Sequence, residues 1–168
     1  TKGSNNTYCL LNALRENQEG ELLALISDRG LFHVNWQDNV LENRLSEMNA
    51  RIGSYILDFY QDKNGIYWFA SSSGLVRISK DGKNFKKYTV KDGLISDNLI
   101  RIESSDDRHL WISTISGICR FNTETGEVLN YNHNDGLSAN EFLERVSAKT
   151  NDKRIIFKIQ KNMPELSG

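Results

Sequence analysis

The sequence predicts an all-β protein made of β-propeller blades, about three and a half of them, each blade being four short antiparallel strands. Three observations carry this expectation. Motif parts recur at a fixed spacing of 43 residues: Trp68 and Trp111, Gly74 and Gly117, Arg77 and Arg120, Tyr88 and Tyr131. Asp92-Gly93-Leu94 and Asp135-Gly136-Leu137 keep the same offset without a gap. Within each copy, short apolar segments are broken by polar turn clusters, the pattern of strands rather than of helices.

The two clear copies can be read strand by strand. Residues 56–60 (Ile-Leu-Asp-Phe-Tyr) and 99–103 (Leu-Ile-Arg-Ile-Glu) are apolar at their first and fourth places and read as first strands. Asp62-Lys63-Asn64-Gly65 and Ser105-Asp106-Asp107-Arg108 follow, residue types that tolerate tight bends. Second strands run over 66–70 and 109–113 with a Trp at the middle, and Ser72-Ser73-Gly74 and Ile115-Ser116-Gly117 supply the next turn. Third strands cover 74–78 and 117–121. Lys80-Asp81-Gly82-Lys83 and Thr123-Glu124-Thr125-Gly126 turn again, into fourth strands at 85–89 and 128–132.

A fainter copy precedes these, in which Leu11, Leu14 and Gly20 stand 45 residues before Ile56, Phe59 and Gly65, and Leu23 occupies the Trp position. A partial copy follows Leu137, with two strands over 143–159. The predicted blades are 8–53, 54–96, 97–139 and an incomplete 140–168. Four strands per repeat of about 40–45 residues is the mark of a propeller blade. A lone blade has two apolar faces and buries them by stacking on its neighbours, so Trp68 and Trp111 are expected to fill the layers between blades.

Composition narrows the function. Lys and Arg number 21 against 22 Asp and Glu, a net charge of −1, which removes the electrostatic case for nucleic acid or an anionic membrane surface. No apolar run is long enough to span a bilayer. Cys9 and Cys119 share no metal-ligand spacing, and Cys119 takes the repeat position of Val76, where a small buried hydrophobe fits. His33, His109 and His133 fall at unrelated repeat positions, so neither a metal nor a cofactor is expected. The chain opens Thr-Lys-Gly without Met, which reads as a cut start that leaves localisation open.

At Asp92-Gly93-Leu94 with Ser96 and Asn98, then Trp111-Ile112-Ser113-Thr114, Gly117-Ile118 and Arg120-Phe121, the sequence resembles the propeller repeats of two-component regulators. These repeats occur in the periplasmic sensor region of hybrid histidine kinases from polysaccharide-degrading gut anaerobes. Gly136-Leu137-Ser138-Ala139-Asn140-Glu141-Phe142 looks like the phrase that opens the closing blade. The sequence departs from the pattern in three places. The first copy has neither Asp-Gly-Leu before Ile56 nor a Trp. Arg154 to Ile159 replaces a Phe-Gly-Gly-like segment, and the tail Met163–Gly168 fits no blade. These departures suggest a piece of a longer sensor.

The resemblance implies a non-catalytic, extracytoplasmic segment of a signalling protein, periplasmic in location, that recognises an oligosaccharide and leaves kinase chemistry to other domains. Two other readings stand beside it: a fragment of a propeller lyase or glycosidase, and a protein-interaction scaffold. An enzyme would need a carboxylate pair or a His with a base on one face of adjacent blades. Asp97, Glu141 and Glu144 could be drafted into that role, but nothing ties them to a reaction.

Loops at propeller rims usually form the binding surface. The candidates there are Ser96, Asp97, Asn98, Asn140 and Glu141 on the links between blades, and Trp36 at the turn after the first copy's third strand. Carboxylates, amides and hydroxyls suit sugar hydroxyls, and an exposed Trp can stack on a sugar face. Solvated turn residues and simple packing are the competing explanations. An open arc of blades also leaves apolar end faces, so the remaining blades of a parent protein or further copies of this chain are expected to cover them.

Overall fold

Three four-stranded antiparallel meanders follow one another in the computed structural model, which describes residues 10–52, 55–104, 106, 108–137, 147–152 and 154–157. The first sheet is β1 (Leu11–Glu16), β2 (Leu22–Ile26), β3 (Gly30–Asn35) and β4 (Val40–Glu42). A short helix, α1 (Ser46–Ile52), leads to the second sheet, β5 (Ile56–Gln61), β6 (Tyr67–Ser71), β7 (Gly74–Ile78) and β8 (Phe85–Tyr88). The third is β9 (Leu99–Ser104), β10 (His109–Thr114), β11 (Gly117–Asn122) and β12 (Val128–Tyr131). A two-stranded hairpin, β13 (Ser147–Lys149) and β14 (Ile155–Phe157), comes last. The architecture is a partial propeller, and the strands of the two clear copies fall within a residue or two of their predicted places.

The recurrence of Asp-Gly-Leu has a local cause. After β8, Thr89 caps a single 3-10 turn: its hydroxyl accepts from Lys91 N, and the Asp92 carboxylate accepts from Thr89 N at 2.8 Å. Gly93 then takes φ +103°, a left-handed conformation that glycine adopts without strain. Leu94 turns inward and is buried. After β12, Asn132, Asp135 and Gly136 build the same box. So Asp closes the cap, Gly reverses the chain and Leu anchors the link.

Turns between second and third strands repeat as well. Ser71 Oγ donates to Gly74 O at 2.7 Å, and Thr114 Oγ1 to Gly117 O at 3.0 Å. A Cβ on either Gly74 or Gly117 would stand 2.3 Å from the carbonyl oxygen of Tyr88 or Tyr131 across the sheet, so no side chain fits.

Stacking of the sheets makes two apolar layers. On the second sheet, Tyr67 and Phe69 point to the first sheet while Trp68 and Ala70 point to the third, the period-two alternation of a strand buried on both faces. Leu23, Leu25 and Leu31 meet Phe59, Phe69 and Val76 in the first layer. In the second layer Trp68 packs with Tyr88 and Phe121, its ring centroid 5.4 Å from that of Phe121. Trp68 is fully buried, and its indole N–H donates to the buried Asp62 carboxylate at 3.0 Å. Arg77 lies over its ring at 5.9 Å, and Arg120 stands over Trp111 at the same distance.

Trp111 departs from expectation. It occupies the same register as Trp68 but is only partly buried, against Ile100, Ile118, Leu137 and Phe157. Trp68 is covered by a whole sheet, whereas among the described residues Trp111 meets Tyr131 and the small β13–β14 hairpin. The first sheet likewise presents Leu14 and Leu41 as exposed side chains on the face away from β5–β8.

Helix α1 is a second departure, since the sequence reading placed only strands in the first copy. Met48 and Ile52, four residues apart, enter the first apolar layer beside Leu45. Because β4 ends opposite His33, the outer edge of Leu31 has no strand beside it. The Asn49 amide takes the strand's place: Leu31 N donates to its Oδ1 at 2.8 Å, and its Nδ2 donates to Leu31 O at 2.9 Å.

These burial differences rank the tryptophans. Trp68→Ala should lower unfolding free energy by about 3–5 kcal/mol, as loss of a large core aromatic does. Trp111→Ala should cost clearly less, and Trp36→Ala, at an exposed site, no more than about 0.5 kcal/mol. A urea midpoint lower for Trp36→Ala or Trp111→Ala than for Trp68→Ala would contradict the layer assignment.

A second prediction concerns pH. Cys119 is fully buried, and burial pushes its thiol up to about 11 from the ordinary 9.0. The unfolded chain therefore releases this proton first, and stability should fall as pH rises from about 9 towards 11. Cys119→Val, which copies Val76 of the preceding sheet, should flatten the fall between about pH 9 and 10. Tyr67, which burial pushes up to about 12, contributes mainly above that range. An unchanged slope in the variant's urea midpoints would contradict the burial argument.

Candidate functional site

Among the described residues, polar side chains gather in three places: along the inner strands, at the end where the links between sheets run, and at the opposite end. The inner strands β1, β5 and β9 lie side by side and are tied by a buried ion network. Arg15, Asp58 and Arg101 hold the same repeat position, 43 residues apart. Asp58 is fully buried and accepts from Arg15 Nε at 3.1 Å and Arg15 Nη2 at 2.8 Å. It also accepts from Phe59 N and, across to β9, from Ile102 N at 3.0 Å, while Arg101 Nη1 stands 3.4 Å from Oδ1.

Arg15 reaches on to Glu103 through both terminal nitrogens, at 3.3 and 3.1 Å, and Ser147 of β13 donates to the same carboxylate at 2.6 Å. Burial works against the Arg15 charge, but Asp58 and Glu103 outweigh it and hold the guanidinium above its ordinary range. A cleft of about 290 Å³ lies alongside, lined by Asn12, Arg15, Arg101 and Glu103. The Arg15 donors are spent on Asp58, Glu103 and Ile102 O, and the Asp58 acceptors on Arg15 and two backbone N–H groups, so this cluster acts as a brace between strands.

One end of the sheets carries the links and the turns between second and third strands. Ser27 N donates to Leu10 O, Ser72 N to Tyr55 O and Ile115 N to Asn98 O, which places each link beside its own sheet's turn. Ser96 is nearly buried and accepts from Asn98 N at 3.1 Å; Asp97 accepts from Val90 N at 2.8 Å. The structure thus brings Ser96, Asp97 and Asn98 together on one loop beside the Thr114–Gly117 turn. Asn140 and Glu141 lie outside the described residues.

Trp36 sits at the opposite end, on the β3–β4 turn, because alternate turns of an antiparallel meander lie at opposite ends. It is 68% exposed. The turn is built on Asn35, whose Oδ1 accepts from Gln37 N and Asp38 N and whose Nδ2 donates to Asp38 and Glu42. Beside Trp36 opens a cleft of about 240 Å³ with Glu21, His33, Glu42 and Arg44. Glu21 and His33 are shared with a cleft of about 270 Å³ that continues to Glu19, Tyr67 and Lys80. Lys80 and Leu45 lead on to a third, of about 320 Å³, against Asp81 and Gly82.

Ion pairs span this trench. Arg44 joins Glu21, at 3.3 Å, to Glu42, and Lys80 pairs with Glu19. Hydrogen bonds from Asn35 and then Arg44 hold the Glu42 carboxyl below its usual range, and Lys80 does the same for Glu19. Trp36 is legible in the sequence, but the far part of the trench is not: Tyr67 and Lys80 of the second sheet join Glu21 and His33 of the first only through stacking. The inner brace was readable in principle, since Arg15, Asp58 and Arg101 keep the repeat spacing.

Among the described residues no group of three or more His, Cys, Asp and Glu is placed to hold a metal ion. Among them, too, no helix is long and apolar enough to cross a membrane.

Comparison with known proteins adds the following. Residues 51–73, from the end of α1 to the β6–β7 turn, match the two-component regulator propeller family. No curated protein matches the sequence. Among solved structures, the extracellular domain assigned to a hybrid two component system of B. thetaiotaomicron superposes with a TM-score of 0.67 at 21% identity. That match covers 86% of this chain and 20% of the other. A second extracellular domain from the same species, assigned to a one component system, also gives 0.67, at 15% identity over 93% of this chain and 23% of its own. A catalytically inactive virginiamycin B lyase from Staphylococcus aureus, with quinupristin, gives 0.63 at 16% identity over 92% of this chain and 50% of the lyase. The chain thus spans about a fifth of each extracellular domain and half of the lyase, and at these identities the likeness establishes the propeller fold.

Proposed function

We propose that this chain, which carries a two-component regulator propeller repeat, is part of an extracytoplasmic sensor that recognises an oligosaccharide and performs no chemistry itself. The observation that carries this reading is the repeat match at residues 51–73, set in an arc of blades with the fold of two extracellular signalling domains. The chain supplies recognition, and phosphotransfer belongs to other domains of the signalling protein, which we place in the inner membrane with this segment in the periplasm. Blades of that parent, or a second copy of this chain, cover the end faces at Leu14 and Leu41 and at Trp111.

The inner-strand cluster is a brace and not an acid–base pair. A general acid or base needs a proton it can exchange with substrate. Asp58 is fully buried and held by Arg15 and two backbone N–H groups, and Glu103 is held by Arg15 and Ser147. Both serve as fixed acceptors. The rival reading, an enzyme, draws on the fold shared with virginiamycin B lyase.

One experiment separates the two. The purified protein is screened on an array of plant and microbial oligosaccharides, and the same compounds and quinupristin are followed for turnover by mass spectrometry. Binding of at least one oligosaccharide with no product is the expected result. Turnover that disappears in an Asp97→Ala variant would replace the sensor with an enzyme and move the working surface to the links.

A further inference from the structure

We propose that the trench running from Trp36 to Lys80 is the ligand site, and that it selects an uncharged oligosaccharide over sulfated or uronic-acid chains. The inference rests on the sensor reading above and adds the place and the charge class of the ligand.

Four features of the trench carry it. The first is shape. Three clefts share walls through His33, Arg44 and Lys80, and so form one elongated depression across two sheets. An extended chain of rings fits such a groove better than a compact ligand does.

The second is Trp36. Large aromatics are normally covered, yet this one is 68% exposed at the mouth of the trench. Its turn is already fixed by the four Asn35 hydrogen bonds, so little backbone order is lost when a ring stacks on the indole. A pyranose offers a face of C–H bonds to such a surface and hydroxyls around its edge.

The third is the polar lining. Paired carboxylates and cations set acceptors and donors side by side and, unlike the buried Arg15–Asp58 pair, stay exposed to solvent, which suits the vicinal hydroxyls of a sugar. Glu42, Arg44 and Glu21 form one such row, and Glu19 with Lys80 another.

The fourth is charge. Glu19, Glu21, Glu42 and Asp81 face Arg44 and Lys80, an excess of two negative charges. Tyr67, on the same wall, feels it: beyond the effect of burial, Glu19 and Glu21 drive its hydroxyl further up. A polyanionic glycan would enter against this field and would have to break existing ion pairs to find a cation.

The test uses the full chain, Trp36→Ala and Trp36→Phe on an array holding neutral oligosaccharides (arabinan, xylan, mannan and β-glucan fragments) beside heparin, chondroitin sulfate and polygalacturonate fragments. Wild type should bind a neutral probe. Trp36→Ala should weaken that binding more than about tenfold without moving the urea midpoint, and Trp36→Phe should restore part of it. Trp68 is buried and Trp111 lies on the third sheet, outside the trench, so a ligand-induced shift in tryptophan emission should vanish with Trp36. Unchanged affinity in Trp36→Ala, or preference for the sulfated or uronate probes, overturns the trench and leaves the sensor reading standing. Failure to bind any glycan on the array overturns both.

Discussion

Asp58 is the residue on which the arrangement of blades turns. A carboxylate with no exposed surface stands in the middle of three inner strands, and its contacts come from three successive copies of the repeat. Arg15 reaches it from β1, Phe59 N from its own strand, and Ile102 N and Arg101 from β9. A buried charge is tolerated only when paired and hydrogen-bonded, so the three strands are held to one register. Apolar layers on either side of the second sheet tolerate small slips; the bidentate grip of Arg15 on Asp58 does not.

With the inner strands braced, the rest of each blade follows from local rules. Capping boxes at Thr89–Asp92 and Asn132–Asp135 aim each link, and the 71–74 and 114–117 turns return the second strand beside the third. Trp68 then fills the space between sheets, its N–H satisfied by Asp62. The first link is the exception. Helix α1 replaces the capped turn, and the side chain of Asn49 completes the edge of β3. That substitution also brings Leu45 to the floor of the trench, so the site proposed for the ligand lies where the repeat is least regular.

Much of this was legible in the sequence, for identifiable reasons. Strands, turns and the Asp-Gly-Leu links repeat at a constant spacing because each residue does the same local job in each blade. Trp36 stood out because it falls outside that spacing. Trp68 and Trp111 could not be told apart, because their difference lies in what stacks on them. Helix α1 left only a weak signal, Leu45, Met48 and Ile52 at helical spacing over two turns. The trench left none: Glu21, His33 and Arg44 belong to one sheet and its link, Tyr67 and Lys80 to another, and only stacking makes them neighbours. Arg15, Asp58 and Arg101 keep the repeat spacing, but their alternating charge hides the shared position from a comparison of residue identity. Glu144, one further step along, lies outside the described residues.

The account requires that the inner brace, and not apolar stacking alone, sets the relation of the blades on which the trench depends. A double-mutant cycle tests this directly, through the unfolding free energies of wild type, Arg15→Ala, Asp58→Ala and the double variant. Loss of Asp58 leaves Arg15 and Arg101 without their shared acceptor and should cost about 3–5 kcal/mol. The double variant should be far from the sum of the singles, with a coupling of at least about 2 kcal/mol. Losses under about 1 kcal/mol that simply add would contradict the account.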